Sequence, residues 1–121
     1  MNDTFVAIDF ETADRYRDSA CALAMVRVES GKIVHTEHRL IKPPRKYFEF
    51  TYIHGITWDM VASEPDFQEL WPSLKNVLNG ADFIAAHNAS FDRSVLNACC
   101  KKSDIEPPSI PFECTVSLAR K

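Results

Sequence analysis

The sequence predicts an α/β domain built on a mixed β-sheet, and three observations carry that reading. Thr4-Phe5-Val6-Ala7-Ile8 is a short unbroken apolar run, the pattern of a strand covered on both faces. Two longer stretches of strand character follow, separated by Ser30-Gly31, a pair suited to a tight hairpin turn. Farther along, apolar side chains recur at helical spacing on either side of another short apolar run, Asp82-Phe83-Ile84-Ala85-Ala86. A three-strand antiparallel start followed by helix–strand–helix units gives a sheet with both antiparallel and parallel neighbours.

Each element has a local reason. Ala20 to Val28 is the second apolar run, and Lys32 to Ile41 is its hairpin partner. The partner carries Lys32, His35, Glu37, His38 and Arg39, charges that place it near a sheet edge. Lys42-Pro43-Pro44-Arg45-Lys46 breaks the sheet and opens a long connection running to about Asp59. Phe67, Leu70, Trp71, Leu74, Val77 and Leu78 then form a helical stripe that reads as core. Pro65 suits its first turn, Pro72 should kink or restart it, and Asn79-Gly80 stops it. A further helix is expected from about Ser90, with Phe91, Val95 and Cys99 on one stripe. Pro107-Pro108 and Pro111 mark a loop, after which Phe112 to Thr115 forms a last short strand leading into a helix.

Length and composition bound the function. The 121 residues, 45% hydrophobic and 26% charged, suit one soluble domain. A net charge of -3 argues against a duplex-DNA binder working through a broad basic face, but leaves room for a nuclease whose carboxylates hold metal ions. No apolar run is long enough to span a membrane, and Met1-Asn2-Asp3-Thr4 lacks the profile of a secretory signal. Cys21, Cys99, Cys100 and Cys114 contain no Cys-x-x-Cys pair, so free and mostly buried thiols are expected rather than zinc. Together these features point to a cytoplasmic protein.

The first constellation with chemical meaning is Asp9-Phe10-Glu11-Thr12, directly after the first strand run. Alternation puts Phe5, Ala7, Asp9 and Glu11 on one face, with Val6, Ile8 and Phe10 on the other. Two carboxylates thus leave one face at the carboxyl end of a strand, where open α/β sheets bind ligands. Their repulsion is relieved by a hard divalent cation, Mg²⁺ or Mn²⁺, because the donors are all oxygen. The plainer reading is that both simply face water. The second constellation is His87-Asn88-Ala89-Ser90-Phe91-Asp92, again where a strand enters a helix. An acid in a helix's first turn is also favoured by the helix dipole alone. Two strand ends can nevertheless bring Asp9, Glu11 and Asp92 to one sheet edge. Three converging carboxylates favour a metal site more than any pair does.

Taken with His54-Gly55-Ile56-Thr57, these segments resemble the successive motifs of the DEDDh 3'–5' exonucleases. That group includes the epsilon proofreading subunit of DNA polymerase III and has a ribonuclease H-like fold. The final Cys114-Thr115-Val116-Ser117-Leu118-Ala119-Arg120 is similar to the family's Asp-Thr-x-x-Leu-Ala-Arg segment, with Cys114 where Asp is usual. The resemblance implies a ribonuclease H-like mixed sheet, incomplete at its C-terminus, and a two-metal mechanism using Mg²⁺ or Mn²⁺. Asp9, Glu11 and Asp92 would hold the two metal ions and release nucleoside 5'-monophosphates from the 3' end of single-stranded DNA. By the same resemblance, Thr12 and Ala13 would touch the terminal nucleotide through their backbone. Asn88 and Phe91 would shape the site, and His54 would lie near the terminal base.

The family's His-x-x-x-x-Asp motif, which supplies a general base and a fourth carboxylate, has no counterpart after Asp92. The histidines are His35, His38, His54 and His87, and only His87 lies within a motif, where local hydrogen bonding is its expected role. Residues 1–121 therefore read as the N-terminal part of one exonuclease domain, poorly active because general-base help is typically worth ~10²–10⁴ in rate. Apolar sheet surface left open by a truncated fold should lead the chain to dimerise, exchange an element or be marginally stable. A polymerase subunit is a natural partner for such a domain. The rival readings are an exoribonuclease with the same site, and a non-catalytic module that binds nucleic acid or a polymerase. Lys42, Arg45 and Lys46 with Tyr47, Phe48, Phe50 and Tyr52 combine the ingredients of single-strand binding, although a loop packed on the sheet accounts for them too.

Overall fold

The computed structural model describes residues 3–114. Its five strands are β1 (Thr4–Thr12), β2 (Ala20–Glu29), β3 (Lys32–Leu40), β4 (Phe83–Ala86) and β5 (Phe112–Cys114). They form one sheet in the order β3-β2-β1-β4-β5. The first three pair antiparallel, while β1 with β4 and β4 with β5 pair parallel. The expected mixed sheet is therefore present, with the charged β3 at its edge. Ser30 and Gly31 join β2 to β3 with φ of 50° and 81°, the double left-handed turn that matches strand twist. The helix expected after β5 lies outside the described residues.

Among the described residues four α-helices accompany the sheet. α3 (Phe67–Leu74) is launched by a capping box in which Asp66 accepts from the Glu69 amide while Glu69 accepts from that of Asp66. Asp66 takes the cap, so Pro65 lies outside the helix rather than in its first turn; the Pro65 carbonyl accepts from Lys42 N–H instead. Pro72 sits inside α3 without breaking it. Its missing N–H leaves only the carbonyl of the exposed Gln68 without its intrahelical donor, and the chain tightens into a 3₁₀ turn just afterwards, at Lys75–Leu78. α4 (Ala89–Lys102) begins within one residue of its expected start. The connection after β3 is not unbroken loop, because it contains two single-turn helices, α1 (Thr51–His54) and α2 (Trp58–Val61). Gly55 closes α1 at φ 78°, a conformation only glycine adopts without strain.

α3 and α4 cover one sheet face. Phe67, Leu70, Trp71 and Leu74 meet Val95, Leu96 and Cys99 over Val6, Ile8 and Phe10. The other face is covered only in part, by Ile56 and Val61 packed against Cys21 and Ala22. The expectation that β1 is buried on both faces is corrected accordingly. Among the described residues Phe5 and Ala7 are half-buried and Asp9 is exposed, with Phe5 stacked on Phe83 at a centroid distance of 5.0 Å. The half-covered face is the one that carries Asp9 and Glu11.

Candidate active site

The site is built at the carboxyl end of β1, where the pairing changes register. Glu11 faces Ala22 but Thr12 faces Ala20, so Cys21 is an extra residue bulged out of β2. Beyond the bulge the chain turns through residues 13–19 before entering β2. Two arginine–carboxylate clamps tie this turn to the segment before α1. Arg45 grips the buried Asp14 and also Asp18, and Arg15 binds Glu49. The carbonyl of Ala13 accepts from the Glu49 and Phe50 amides at 2.7 and 3.3 Å. Phe50 and α1 are thereby held beside the end of β1. Burial alone would push the Asp14 carboxyl up, but Arg45, the Tyr16 amide and Ser19 together bring it below its ordinary value.

Asp92 reaches the same place from the first turn of α4. Its Oδ1 accepts the backbone N–H of Phe10 at 3.0 Å, and the residue is only 3% exposed. Its pKa is pushed up to about 6, mainly by burial and further by the negative charges of Asp9 and Glu11, against the pull of the Phe10 N–H. Asp9 is exposed and Glu11 half-buried, so the three expected acids share one neighbourhood and sense one another. They do not close into a ready-made cage. Among the described residues no group of three or more His, Cys, Asp or Glu side chains is gathered tightly enough to hold a metal ion. Like charges in a partly desolvated setting stay apart unless a cation lies between them. The donor set fits such an ion: its atoms are all carboxylate oxygens, suited to a hard divalent cation.

Beside these acids lies a pocket of about 240 Å³. Four residues named from sequence line it: Glu11, Thr12, His54 and Phe91. His54 holds the pocket's shape with both ring nitrogens. Nε2 lies 2.9 Å from the Thr12 carbonyl, and Nδ1 accepts from the Ile56 amide at 3.0 Å. A carbonyl can only accept, so the ring carries its proton on Nε2. Ala13 is placed differently from the expectation. It is fully buried, with its amide spent on Ser19 and its carbonyl on Glu49 and Phe50, and it does not line the pocket. Asn88 also stays outside the lining; it is exposed at the start of α4, where its Oδ1 accepts from Ser90.

Phe10, Arg17, Phe50 and Ile53 complete the wall without having been singled out as site residues. The Arg17 guanidinium lies 4.8 Å from the Phe91 ring centroid. Phe50 belonged to the aromatic cluster noted after the Pro-Pro break, a signal that identified the segment but not the position. Arg17 belongs to no motif. Within that cluster Tyr47 and Tyr52 are exposed, whereas Phe48 packs on Ile56 and Val61. His87 is exposed, its carbonyl accepting from the Cys114 thiol at 3.2 Å. Among the described residues no helix is long and apolar enough to cross a membrane.

Comparison with known proteins places this geometry. A family model described as Exonuclease matches residues 6–121. DNA polymerase III PolC-type of Thermotoga petrophila is 36% identical over 125 residues, which cover 98% of this chain and 9% of that protein. Exodeoxyribonuclease 10 of Escherichia coli K12 is 36% identical over 117 residues, 94% of this chain and 46% of that one. The chain thus spans less than half of either relative. Among solved structures, exonuclease X in complex with 5' overhanging duplex DNA superposes with a TM-score of 0.74 at 32% identity, over 96% of this chain and 62% of that one. The zinc-bound complex of Escherichia coli ExoI with single-stranded DNA reaches 0.84 at 17% identity, over 98% and 29%, a likeness of fold.

Proposed function

The chain belongs to the Exonuclease family of phosphodiester-hydrolysing enzymes, and we propose that its site removes nucleoside 5'-monophosphates from the 3' end of single-stranded DNA. The observation that carries this reading is the Phe10–Asp92 hydrogen bond, which holds a helix acid near the Asp9–Glu11 pair, with Glu11 itself lining the adjoining pocket. Asp9, Glu11 and Asp92 supply oxygen donors for two divalent cations, Mg²⁺ or Mn²⁺. Once bound, such ions supply an activated water and charge stabilisation at the leaving oxygen.

The chain's own residues do the rest. Phe10 N–H engages Asp92 Oδ1 and so fixes the carboxylate, with Oδ2 as the coordinating atom. Phe50, Ile53 and Phe91 offer apolar surface to the terminal base and sugar. His54 orients the Thr12 carbonyl, and Arg17 places positive charge over Phe91.

No histidine follows Asp92 in residues 1–121, and the family's general base has no counterpart there. We infer that this polypeptide turns over slowly while keeping its nucleotide and metal sites. Relatives of PolC type support a polymerase as a partner, and the same proposal includes a cytoplasmic setting.

The test is release of mononucleotide from 3'-labelled single-stranded DNA in Mn²⁺, alongside Asp92→Asn. Slow release abolished by chelator and by Asp92→Asn is expected. Release indifferent to both would overturn the reading.

A further inference from the structure

Arg17 lines two cavities at once. One is the pocket just described; the other is an open groove of about 680 Å³ bordered by Tyr16, Asp18, Arg45, Lys101 and Lys102. Charges in this groove are unequally balanced. Asp18 is paired with Arg45, which also holds Asp14. Arg17, Lys101 and Lys102 make no ion pair among the described residues. In a chain of net charge -3, three uncompensated cations therefore line one groove leading away from a cluster of acids. Lysines in the last turn of α4 are also favoured by the helix dipole, but that does not account for Arg17 or Tyr16. Tyr16 is 62% exposed although Arg45 stacks on its ring at 5.2 Å.

We propose that this groove, entered past Arg17, is a binding track for the sugar–phosphate backbone of single-stranded DNA upstream of the terminal nucleotide. Arg17, Lys101 and Lys102 contact successive phosphates, and Tyr16 offers an aromatic face on which a base stacks. The track ends near Lys102. Beyond it the next cavity shares Asp18 and Lys102, but there Glu64, Asp66 and Glu69 offset Lys42 and Lys46, so the uncompensated positive charge does not continue. The inference rests on the nuclease reading of the neighbouring pocket.

The test compares the chain with Lys101→Gln/Lys102→Gln, two exposed positions on α4. Two ligands are titrated in Ca²⁺: thymidine 5'-monophosphate, and oligothymidylate of about 12 nucleotides, within the length range of single-strand sites. Losing two phosphate contacts should lower the slope of log affinity against log salt by about 1.4 and weaken the oligomer about 25-fold at ~0.1 M salt. Mononucleotide affinity should stay equal in both proteins. Equal oligomer affinity and slope would overturn the track, as would an equal loss for a polyglutamate of similar length. Failure of the underlying nuclease reading looks different: the unmodified chain then binds no thymidine 5'-monophosphate.

Discussion

Phe10 and Asp92, 82 residues apart, are joined by a hydrogen bond of 3.0 Å from a strand amide to a helix carboxylate. Phe10 stands between Asp9 and Glu11, and its own side chain is buried on the opposite face of the sheet. The bond therefore couples the core packing of β1 to the placement of the third acid. The same contact leaves Asp92 buried near two like charges, an arrangement that stores sensitivity to protons and to cations.

Proton linkage at Asp92 has a definite sign. Its folded pKa, about 6, lies above the ordinary value of 3.8, so folding favours the protonated acid. The associated stability is fully present below about pH 4, is lost as pH rises through about 6, and stays flat above that. The whole effect is on the order of 2–3 kcal/mol. In urea melts with chelator present, the difference between the chain and Asp92→Asn should follow this profile. A difference independent of pH would refute the assignment.

Divalent cations should act in the opposite sense. Mn²⁺ stabilises the ionised acids, so it should raise the melting temperature more at about pH 7.5 than at about pH 5, where Asp92 holds its proton. Asp9→Asn should remove most of the rise. Calorimetry across the two pH values decides it.

Removing His54 should act through the pocket wall rather than through proton transfer. His54→Ala deletes two hydrogen bonds, to Thr12 and Ile56, at about 1 kcal/mol each. Mononucleotide affinity should fall roughly tenfold, about 1.4 kcal/mol. His54→Gln, which keeps a donor for the Thr12 carbonyl, should recover part of it. A pH-dependent loss of turnover at unchanged affinity would contradict this role.

Asp14→Ala should loosen the turn that carries Phe50. Asp14 accepts from Arg45 and Tyr16 and is 4% exposed, while the Arg45 side chain is 36% exposed. Breaking a fully buried pair costs about 3–5 kcal/mol, and partial exposure of Arg45 reduces the expected loss to about 2. Because the Asp14 pKa is lowered on folding, its contribution is present at neutral pH and is lost as pH falls through that lowered value. Chemical denaturation at neutral and acid pH measures both.

The buried thiols should be inert. Burial pushes Cys21 and Cys99 up to about 12 and Cys100 up to about 11, so none is a thiolate at neutral pH. Iodoacetamide should label them only after denaturant is added, as peptide mass mapping would show. Rapid labelling of the native chain would contradict the packing.

Much of this molecule is legible in one dimension because its signals are local. Alternation in β1 separates Val6, Ile8 and Phe10 from Asp9 and Glu11, and Ser30-Gly31 specifies its hairpin by backbone freedom. The helical stripe from Phe67 to Leu78 declares its buried face. The motifs then nominate Asp9, Glu11 and Asp92 as a candidate set. Pro72 does not end α3 where it stands, because a proline's cost depends on which carbonyl loses its donor, and here that residue is exposed. Ala13 and Asn88 lie outside the pocket lining, because proximity in a motif does not say whether a backbone group is already spent on another partner.

The chain's order of apolar and polar residues by itself determined the mixed sheet and the edge position of β3, and its motifs nominated Asp9, Glu11 and Asp92 as candidate acids. Tertiary structure alone decided that Asp92 turns its Oδ1 to Phe10, that His54 spends both nitrogens on the backbone, and that Arg17 stands between pocket and groove. Those relations join residues tens of positions apart. They depend on how the turn at 13–19 and the segment at 42–54 are clamped across β1, a matter of packing and ion pairing that no local periodicity encodes.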